Sequence, residues 1–332
     1  MKTAIVILNW NGQKLLEQFL PSIVTHNLNK VEIYVADNAS TDNSIKIIKE
    51  KFPSVKIIEN KINGGYAKGY NDALEHIKSD IYCLINSDIE VTNNWLPPII
   101  EVFKNEETTA IIQPKLLDFK DKTKFEYAGA GGGFIDFFGY PYCRGRIFND
   151  LETDNGQFND TSDIFWASGA CFFIRSKVYH QLNGFDEDYF AHQEEIDLCW
   201  RAKNMGYSVK YVGTSTVYHI GGATLQETNP KKTYLNFRNS LLSILKNVPS
   251  KWLFIIILLR LILDGISGIK FFLEFKPKHT WAIIKSHFSF YKNFFKFLKK
   301  RRNLKQKSGY NIHTSIVWQY FILGRKTFNN LK

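Results

Sequence analysis

The segment Ile81–Asp88 reads IYCLINSD and constrains the fold more than any other stretch of the chain. Its apolar run Ile81–Ile85 has the length of a buried strand and ends directly in Asn86, Ser87 and Asp88. Asp88 would then lie at the rim of a sheet, where a carboxylate can hold a divalent cation against a diphosphate. A polar triplet after a strand is more often only a turn, so the rest of the chain has to decide between these interpretations.

The first 115 residues alternate short apolar runs with helical patterns. The predicted strands are Thr3–Asn9, Val31–Ala36, Val55–Glu59, Ile81–Ile85 and Ala110–Gln113, and the predicted helices are Lys14–Ile23, Ser44–Lys51, Ala67–Ile77 and Trp95–Phe103. Strands that alternate with helices of this length predict an α/β fold with a doubly wound, mainly parallel sheet. In such sheets, ligands bind at the carboxyl ends of the strands.

Polar loops follow these strands one after another. They comprise residues 9–12 (NWNG), 37–42 (DNASTD), 60–65 (NKINGG) and 86–88 (NSD). Asn, Asp, Ser and Gly are ordinary turn residues, so each loop alone is weak evidence for a site. Four in succession, two of them carrying carboxylates, favour a binding site at this edge.

The four cysteines, Cys83, Cys143, Cys171 and Cys199, show no CxxC spacing. This pattern makes zinc sites and disulfide frameworks improbable and is typical of a reducing cytosol. The N-terminal residues already follow a strand pattern, so no signal peptide is expected.

The net charge of +11 is concentrated in the C-terminal tail. After Glu274 the chain has fourteen Lys and Arg residues and no Asp or Glu, which leaves 29 basic against 32 acidic residues before that point. The main domain is therefore not basic, and nucleic acid is not expected as its partner.

Residues 117–164 lose the strand–helix pattern. The run AGAGGG at 128–133 lacks the spacing and context of a dinucleotide-binding fingerprint. We therefore expect a long excursion over the site that contains a mobile loop.

Two apolar helical stretches follow at 252–275 and 280–300. On a helical wheel, Arg260, Asp264 and Lys270 share one stripe of the first, and lysines alternate with aromatic faces in the second. Such basic amphipathic helices lie in the plane of an anionic membrane surface. The alternative is that they pack on the main domain or on a second copy. This alternative is as strong as membrane binding for the first helix and weaker for the second, and a membrane span is the less favoured interpretation.

Eight motifs in order make the first 240 residues resemble glycosyltransferase family 2, the inverting enzymes of the GT-A fold, in its rhamnosyltransferase-like branch. The motifs are VILNWNG (6–12), VADNASTD (35–42), NGGYAKGYN (63–71), INSD (85–88), WASGACFFIR (166–175), GFDEDYF (184–190), QEEIDLCWRAKNMGY (193–207) and VYHIGG (217–222). The resemblance implies a GT-A domain over residues 1–240, and the charge and helical patterns predict a basic amphipathic helical tail over 241–332.

The resemblance also implies roles at matching positions for binding the nucleotide sugar. Asp37 corresponds to the carboxylate that pairs with the nucleobase, and Asn86–Ser87–Asp88 takes the place of the DXD motif, with a neutral Asn first. The implied nucleotide-sugar site consists of Asn11, Asp37, Asn63, Gly65, Asn71, Asn86 and Asp88. Asp88 and His219 are the implied ligands of Mg²⁺ or Mn²⁺.

Glu195 matches the catalytic base of the family, the second residue of its acidic pair. We expect Asp197 and Arg201 to brace the helix as an i,i+4 pair, and Asp186 to cap a helix rather than contact the acceptor.

The resulting expectation is a metal-dependent, inverting transfer of a sugar from a UDP- or dTDP-sugar to a lipid-linked or cell-surface glycan. We expect the enzyme to work at the cytoplasmic face of the plasma membrane, as a peripheral protein in contact with anionic lipid. The alternatives are a non-catalytic scaffold of the same fold, a sugar nucleotidyltransferase and a processive synthase. Donor sugar, acceptor linkage and oligomeric state cannot be read from the sequence.

Overall fold

The computed structural model describes residues 1–27, 31–221 and 229–332. Its strands are β1 (Thr3–Asn9), β2 (Val31–Asp37), β3 (Lys56–Glu59), β4 (Ile81–Asn86), β5 (Ile89–Val91), β6 (Thr109–Asp118), β7 (Gly133–Ile135), β8 (Pro141–Cys143), β9 (Arg146–Ile147), β10 (Asp150–Leu151), β11 (Thr161–Ile164), β12 (Cys171–Arg175) and β13 (Ser208–His219). Its α-helices are α1 (Gln13–Thr25), α2 (Ser44–Lys51), α3 (Gly65–Leu74), α4 (Leu96–Asn105), α5 (Ser176–Gln181), α6 (Glu194–Asn204), α7 (Pro230–Asn247), α8 (Ser250–Leu273) and α9 (Pro277–Arg302).

One large sheet organises the first 220 residues, with strand order β11-β13-β6-β12-β4-β1-β2-β3 and β5 paired to β13. Strands β3, β2, β1 and β4 are parallel, β12 runs antiparallel between β4 and β6, and β6 is parallel to β13. The sheet is thus mainly parallel, as the strand–helix alternation predicts.

Helices cover both faces of this sheet because successive strand residues alternate between two cores. Helices α1, α2 and α4 pack on the face that carries Ile5 and Ile7, and α3, α5 and α6 pack on the face that carries Ala4 and Val6. The predicted doubly wound arrangement is confirmed.

The register brings several strand ends to one edge. Asn9 lies opposite Asp37, and Leu8 lies opposite Asn86. Because β12 is antiparallel to both β4 and β6, the carboxyl end of β13, at His219, lies at the same edge. The sheet therefore gathers the polar loops that the sequence singled out.

Residues 117–164 do not form the predicted loop excursion. They contain a second, antiparallel sheet of four short strands in the order β10-β9-β8-β7, and β11 joins the main sheet. The glycines at 128–133 are there for packing, since a Cβ on Gly129 would collide with Ser168 and one on Gly133 with Trp166. The mobile-loop interpretation was wrong, because glycine occurs both in flexible loops and at positions where neighbouring atoms leave no room for a side chain.

Helices α7, α8 and α9 pack against each other, and α7 also packs against the main domain. Leu241, Leu242 and Leu245 of α7 form an apolar cluster with Tyr189, Phe290 and Phe297. Residue 240, the predicted end of the first domain, falls inside α7. The two-domain division remains a prediction.

Part of the polar stripe of α8 faces the protein: Arg260 and Asp264 are buried, whereas Lys270, towards the end of the helix, is exposed. Arg260 and Asp264 are 2% and 0% exposed, and Arg260 donates from Nη2 to Ser240 Oγ (2.9 Å) and from Nη1 to Phe138 O (2.9 Å). The opposite face exposes large apolar side chains, among them Phe254, Ile262 and Phe272. Within the described residues, α8 is also the one helix long and apolar enough to cross a membrane, which by itself is weak evidence.

Candidate active site

Asp37 lies at the end of β2 and is almost fully buried. Its Oδ1 accepts from Asn9 Nδ2 (2.9 Å), and its Oδ2 accepts from the backbone N–H of Ser40 (2.8 Å). The carboxylate thereby holds the 38–41 turn against the end of β1. Each carboxylate oxygen has a further lone pair, so Asp37 can still accept from a ligand.

Asn11 joins the same edge from the loop after β1. Its backbone has φ of 51°, and its Oδ1 accepts from the backbone N–H of Thr41 (2.7 Å). The preceding Trp10 is 53% exposed. The sequence reading gave Trp10 no role, although an exposed indole at a strand end offers a flat apolar surface for a planar ligand.

Asn63 and Gly65 shape the loop before α3. Asn63 Oδ1 accepts from the Gly65 N–H (3.0 Å), and Gly65 has φ of +79°, which favours glycine. A Cβ at Gly65 would lie 2.6 Å from Phe190 O. The close approach that glycine allows here is therefore to the chain itself.

Asn71 binds the chain segment before α6. Its Oδ1 accepts from Tyr179 Oη (2.6 Å) and from the Phe185 N–H (3.0 Å), while its Nδ2 donates to Phe185 O (3.0 Å) and Glu187 Oε1 (3.1 Å). Both ends of the amide are occupied within the protein. Asn71 thus stabilises the chain segment before α6.

Asp88 and His219 lie together at the carboxyl edge, each about 5% exposed. His219 Nε2 is 3.2 Å from Asp88 Oδ1, and His219 Nδ1 is 3.1 Å from Glu126 Oε1. Glu126 is itself fixed, because its Oε2 accepts from the Ala128 N–H (2.6 Å). The three side chains form a chain of carboxylate, imidazole and carboxylate.

This donor set fits a hard divalent cation. In the described ranges no three His, Cys, Asp or Glu side chains are grouped to hold a metal, so Asp88 and His219 would be two protein ligands that leave positions for phosphate oxygens. A carboxylate on the far nitrogen of a ligating histidine orients the ring, which is what Glu126 is placed to do.

The charge of His219 depends on these neighbours. Burial lowers its pKa, but the carboxylates of Glu126 and Asp88 outweigh burial and raise the pKa to about 10. The ring is then protonated at neutral pH. A cation that binds His219 has to displace that proton.

Segment 168–170 connects this edge to Glu195. The Asn86 N–H donates to Ala170 O (2.9 Å), which ties the end of β4 to the segment. The neighbouring Gly169 accepts from Tyr66 Oη (2.7 Å), and a Cβ on Gly169 would lie 3.8 Å from Glu195 Cδ. The partly buried Asn86 and the carboxyl group of Glu195 thus flank the same stretch of chain.

Glu195 lies in the first turn of α6, where its Oε2 is buried without a hydrogen-bond partner among the described residues. Burial raises the pKa of Glu195 to about 7, against the opposing effect of backbone N–H groups at the helix start. Burial and the charge of Glu195 raise the pKa of Glu194 well above its usual range. The raised pKa allows Glu195 to exchange a proton near neutral pH, and it shifts Glu194 towards its neutral form.

The backbone leading into α6 is strained and clamped. Phe190, His192 and Gln193 all have positive φ, at 66°, 68° and 75°. Asn239 of α7 is fully buried and donates from Nδ2 to Tyr189 O (3.1 Å), Ala191 O (2.9 Å) and His192 O (2.7 Å). Asn239 thereby holds the segment that sets the position of Glu195.

Acid–base pairs reinforce the same segment. Asp197 and Arg201 form the predicted i,i+4 pair, with Nε 2.7 Å from Oδ2, and Lys246 Nζ lies 2.9 Å from Asp197 Oδ2. Asp186 accepts from the Asp188 N–H as the predicted cap and is also paired with Lys246 (2.7 Å).

Sequence reasoning missed Glu126 and Asn239. Glu126 lies in the stretch read as a loop, where only its position just before the glycine run set it apart. Asn239 lies inside a helix and carried no signal. The last residue of the VYHIGG motif, Gly222, lies outside the described residues.

Comparison with known proteins points to one family. The family model described as glycosyl transferase family 2 matches residues 4–182. An N-acetylglucosaminyl-diphospho-decaprenol L-rhamnosyltransferase of Mycobacterium tuberculosis is 23% identical over 231 residues, which cover 65% of this chain and 75% of the relative. A low-salt glycan biosynthesis hexosyltransferase of Haloferax volcanii is 22% identical over 252 residues, covering 72% of this chain and 74% of the relative.

Solved structures show the same fold. S. aureus TarS 1–349 in complex with UDP-GlcNAc matches with a TM-score of 0.56 at 15% identity, covering 91% of this chain and 92% of that one. GalNAc-T7 with UDP, GalNAc and Mn²⁺ matches with a TM-score of 0.58 at 15% identity, covering 75% of this chain but only 48% of that one, about half its length. These neighbours confirm the predicted GT-A fold.

Proposed function

The chain belongs to glycosyl transferase family 2 and is a glycosyltransferase, and from that premise we propose that it transfers one sugar, with inversion, from a nucleoside diphosphate sugar to a lipid-linked glycan. The observation that carries the proposal is the Oε2 atom of Glu195, which is buried without a hydrogen-bond partner among the described residues and lies beside the edge that carries Asp88. The family match argues against the nucleotidyltransferase alternative.

Glu195 acts as the general base. Its free Oε2 takes the proton of the acceptor hydroxyl while the hydroxyl oxygen bonds to the anomeric carbon. The bond from that carbon to the diphosphate breaks on the opposite side, and the nucleoside diphosphate leaves. A pKa near 7 suits this role, because the carboxylate is then basic enough to accept the proton and still about half ionised at neutral pH.

Asp88 and His219 would hold Mg²⁺ or Mn²⁺ on the donor side, with Glu126 orienting the imidazole. A bound divalent cation neutralises charge that develops on a leaving diphosphate. The Mn²⁺ named with UDP in the GalNAc-T7 structure supports this choice of ion. Because Asn86 is neutral, the site has one carboxylate fewer than a DXD motif, and we expect weaker metal affinity.

Asp37 would read the nucleobase, since an acceptor-only group suits the ring N–H of uracil or thymine. The UDP-GlcNAc named with TarS supports a UDP- or dTDP-sugar. Asn11, Asn63 and Gly65 would line the nucleotide side, and Asn86 the ribose or donor sugar. Asn71 would contribute by supporting the 185–187 segment.

The acceptor would be presented at a membrane. The rhamnosyltransferase relative is named for a diphospho-decaprenol substrate, and α8 and α9 expose apolar side chains above a tail rich in lysine. We infer peripheral attachment to the anionic cytoplasmic face through these helices. Burial of Arg260 and Asp264 against the protein supports an in-plane helix over a span.

The test compares Glu195→Gln with Glu194→Gln. Removing the base should reduce turnover by about 10²–10⁴-fold while Mn²⁺-dependent binding of the donor, measured by calorimetry, stays within about twofold. Glu194→Gln is the matched control, because it removes the neighbouring carboxyl group, whose Oε2 is also buried without a partner among the described residues, and leaves Glu195 in place. Near-normal transfer by Glu195→Gln, or loss of transfer only in Glu194→Gln, would show that the base has been misassigned.

A further inference from the structure

We propose that a basic pocket between the starts of α7 and α9 binds the diphosphate that joins the acceptor glycan to its lipid. The pocket encloses about 440 Å³, and its walls include Lys231, Tyr234, Lys278, Trp281 and Lys285. This inference rests on the proposed function, which it deepens by naming the part of the acceptor that the protein holds.

The pocket concentrates uncompensated positive charge. Lys231, Lys278 and Lys285 all line it, and within the described ranges none of them forms an ion pair. Some other lysines of this helical layer are paired: Lys246 pairs with Asp186 and Asp197, and Lys300 pairs with Asp186 and Asp188. Three exposed lysines around one open depression, with no carboxylate among its described lining residues, favour a ligand with several negative charges, such as a diphosphate.

The same pocket opens onto apolar surface. Trp281 forms one wall and is 55% exposed, and it begins a stripe along α9 that continues through Ile284, Phe288, Tyr291 and Phe295. These residues are spaced three and four apart and so lie on one helix face. A small soluble anion has no apolar part that could contact this stripe. A ligand whose anionic group continues into an isoprenoid chain fits both parts.

The pocket also borders the catalytic segment. Lys231 Nζ lies 5.1 Å from the centre of the Phe190 ring, and Phe190 O accepts from the Tyr66 N–H (3.0 Å). Phe190 belongs to the strained segment that leads into Glu195. A diphosphate at the lysines, with its lipid along α9, would therefore direct the attached sugar towards Glu195. An ordinary anionic headgroup carries no sugar chain that would use this direction, so we assign the pocket to the lipid diphosphate.

The experiment uses the full chain and farnesyl diphosphate as probe, in EDTA so that no metal draws the diphosphate to Asp88. The variant Lys231→Gln/Lys278→Gln/Lys285→Gln removes the pocket charges, and Lys292→Gln/Lys299→Gln/Lys305→Gln removes the same charge elsewhere on the tail. We expect the pocket variant to bind farnesyl diphosphate about tenfold more weakly and the control variant to change affinity less than twofold. Inorganic diphosphate should bind the wild type more weakly than farnesyl diphosphate.

Equal binding by wild type and pocket variant would overturn the proposal. Equal losses in both variants, or an equal loss of binding to phosphatidylglycerol vesicles, would show a general attraction to anionic surfaces and would overturn it as well. Probe binding needs no turnover, so a wrong base assignment leaves this result unchanged. Conversely, equal binding of farnesyl diphosphate by the wild type and the pocket variant would leave the effect of Glu195→Gln on turnover unchanged.

Discussion

Glu194 and Glu195 are adjacent in sequence, and burial raises the pKa of both carboxyl groups. The charge of Glu195 adds to burial in raising the pKa of Glu194 well above its usual range, whereas the pKa of Glu195 rises to about 7. In both residues Oε2 is buried without a hydrogen-bond partner among the described residues. A carboxyl group with a pKa of about 7 is suited to exchange a proton near neutral pH, which favours Glu195 as the base.

This raised pKa predicts the pH dependence of transfer. The active form of a base is deprotonated, so kcat/KM should be constant above about pH 7 and fall about tenfold per pH unit below it. The profile should be measured at saturating Mn²⁺, because protonation of His219 competes with metal binding. A flat profile down to pH 5 would mean that the carboxyl group has an ordinary pKa and is not the buried base described here.

At the scale of single residues, the sequence pointed to those residues that lie in recognisable motifs. Asp88 and His219 were expected to meet, and they lie 3.2 Å apart. Glu126 was missed because its role arises from a contact across 93 positions of chain with His219. No local pattern encodes such a contact.

At the scale of elements, α7 acts as a clamp on the segment before α6. A non-glycine residue in the left-handed region costs on the order of 1 kcal/mol, and three occur among Phe190, His192 and Gln193. The carbonyls of this segment are also turned inward, where they need donors. The amide of Asn239 satisfies them, so the shape of the segment depends on a helix that is distant in sequence.

Asn239→Ala should therefore impair catalysis without touching substrate. We expect kcat to fall about 10- to 100-fold with little change in donor KM, and the apparent pKa of the kcat/KM profile to shift down towards the ordinary value as Glu195 becomes hydrated. Asn293→Ala is the control, because among the described residues the Asn293 amide donates within α9, to Ser289. An unchanged kcat and pH profile in a folded Asn239→Ala protein would contradict the clamp.

The sequence predicted helices and strands well where the hydrophobic periodicity is strong, and poorly where contacts between distant segments determine the local structure. The first four strands and their helices appear close to the expected bounds. The 117–164 stretch does not, because its strands after β6 are two to four residues long and gain stability only by pairing with other strands, β7–β10 with each other and β11 with β13. Helical spacing likewise identified the polar stripe of α8 but could not tell which way that stripe faces.

At the scale of the whole molecule, α8 reverses the usual arrangement of a surface helix, because it exposes apolar side chains and buries polar ones. Phe254, Ile262 and Phe272 are 80%, 53% and 62% exposed while Arg260 is buried. A soluble monomer rarely exposes so much contiguous apolar surface, which marks an interaction site. With the lysine-rich tail beside it, the surface suits an anionic bilayer.

Phe254→Ser/Ile262→Ser/Phe272→Ser should weaken binding to phosphatidylglycerol-containing vesicles by about 10- to 100-fold in a flotation assay. The control, Ile62→Ser/Leu151→Ser/Met205→Ser, removes exposed apolar side chains outside the three-helix layer and should bind normally. Wild-type protein should also exchange between vesicle populations. Failure to exchange would indicate a span, and unchanged flotation of the α8 variant would place the contact elsewhere.

The burial of Arg260 and Asp264 in α8 has a consequence for which acceptors the enzyme could extend. Arg260 is anchored to Ser240 of α7, and Asn239 beside it hydrogen-bonds to the segment before Glu195. Helix α7 therefore links the surface that we propose faces the bilayer to the proposed base, and this link would hold Glu195 at a fixed height above the lipid. We then expect a glycan whose reactive hydroxyl lies at that height to be extended, and one that has grown past it to be left for another enzyme.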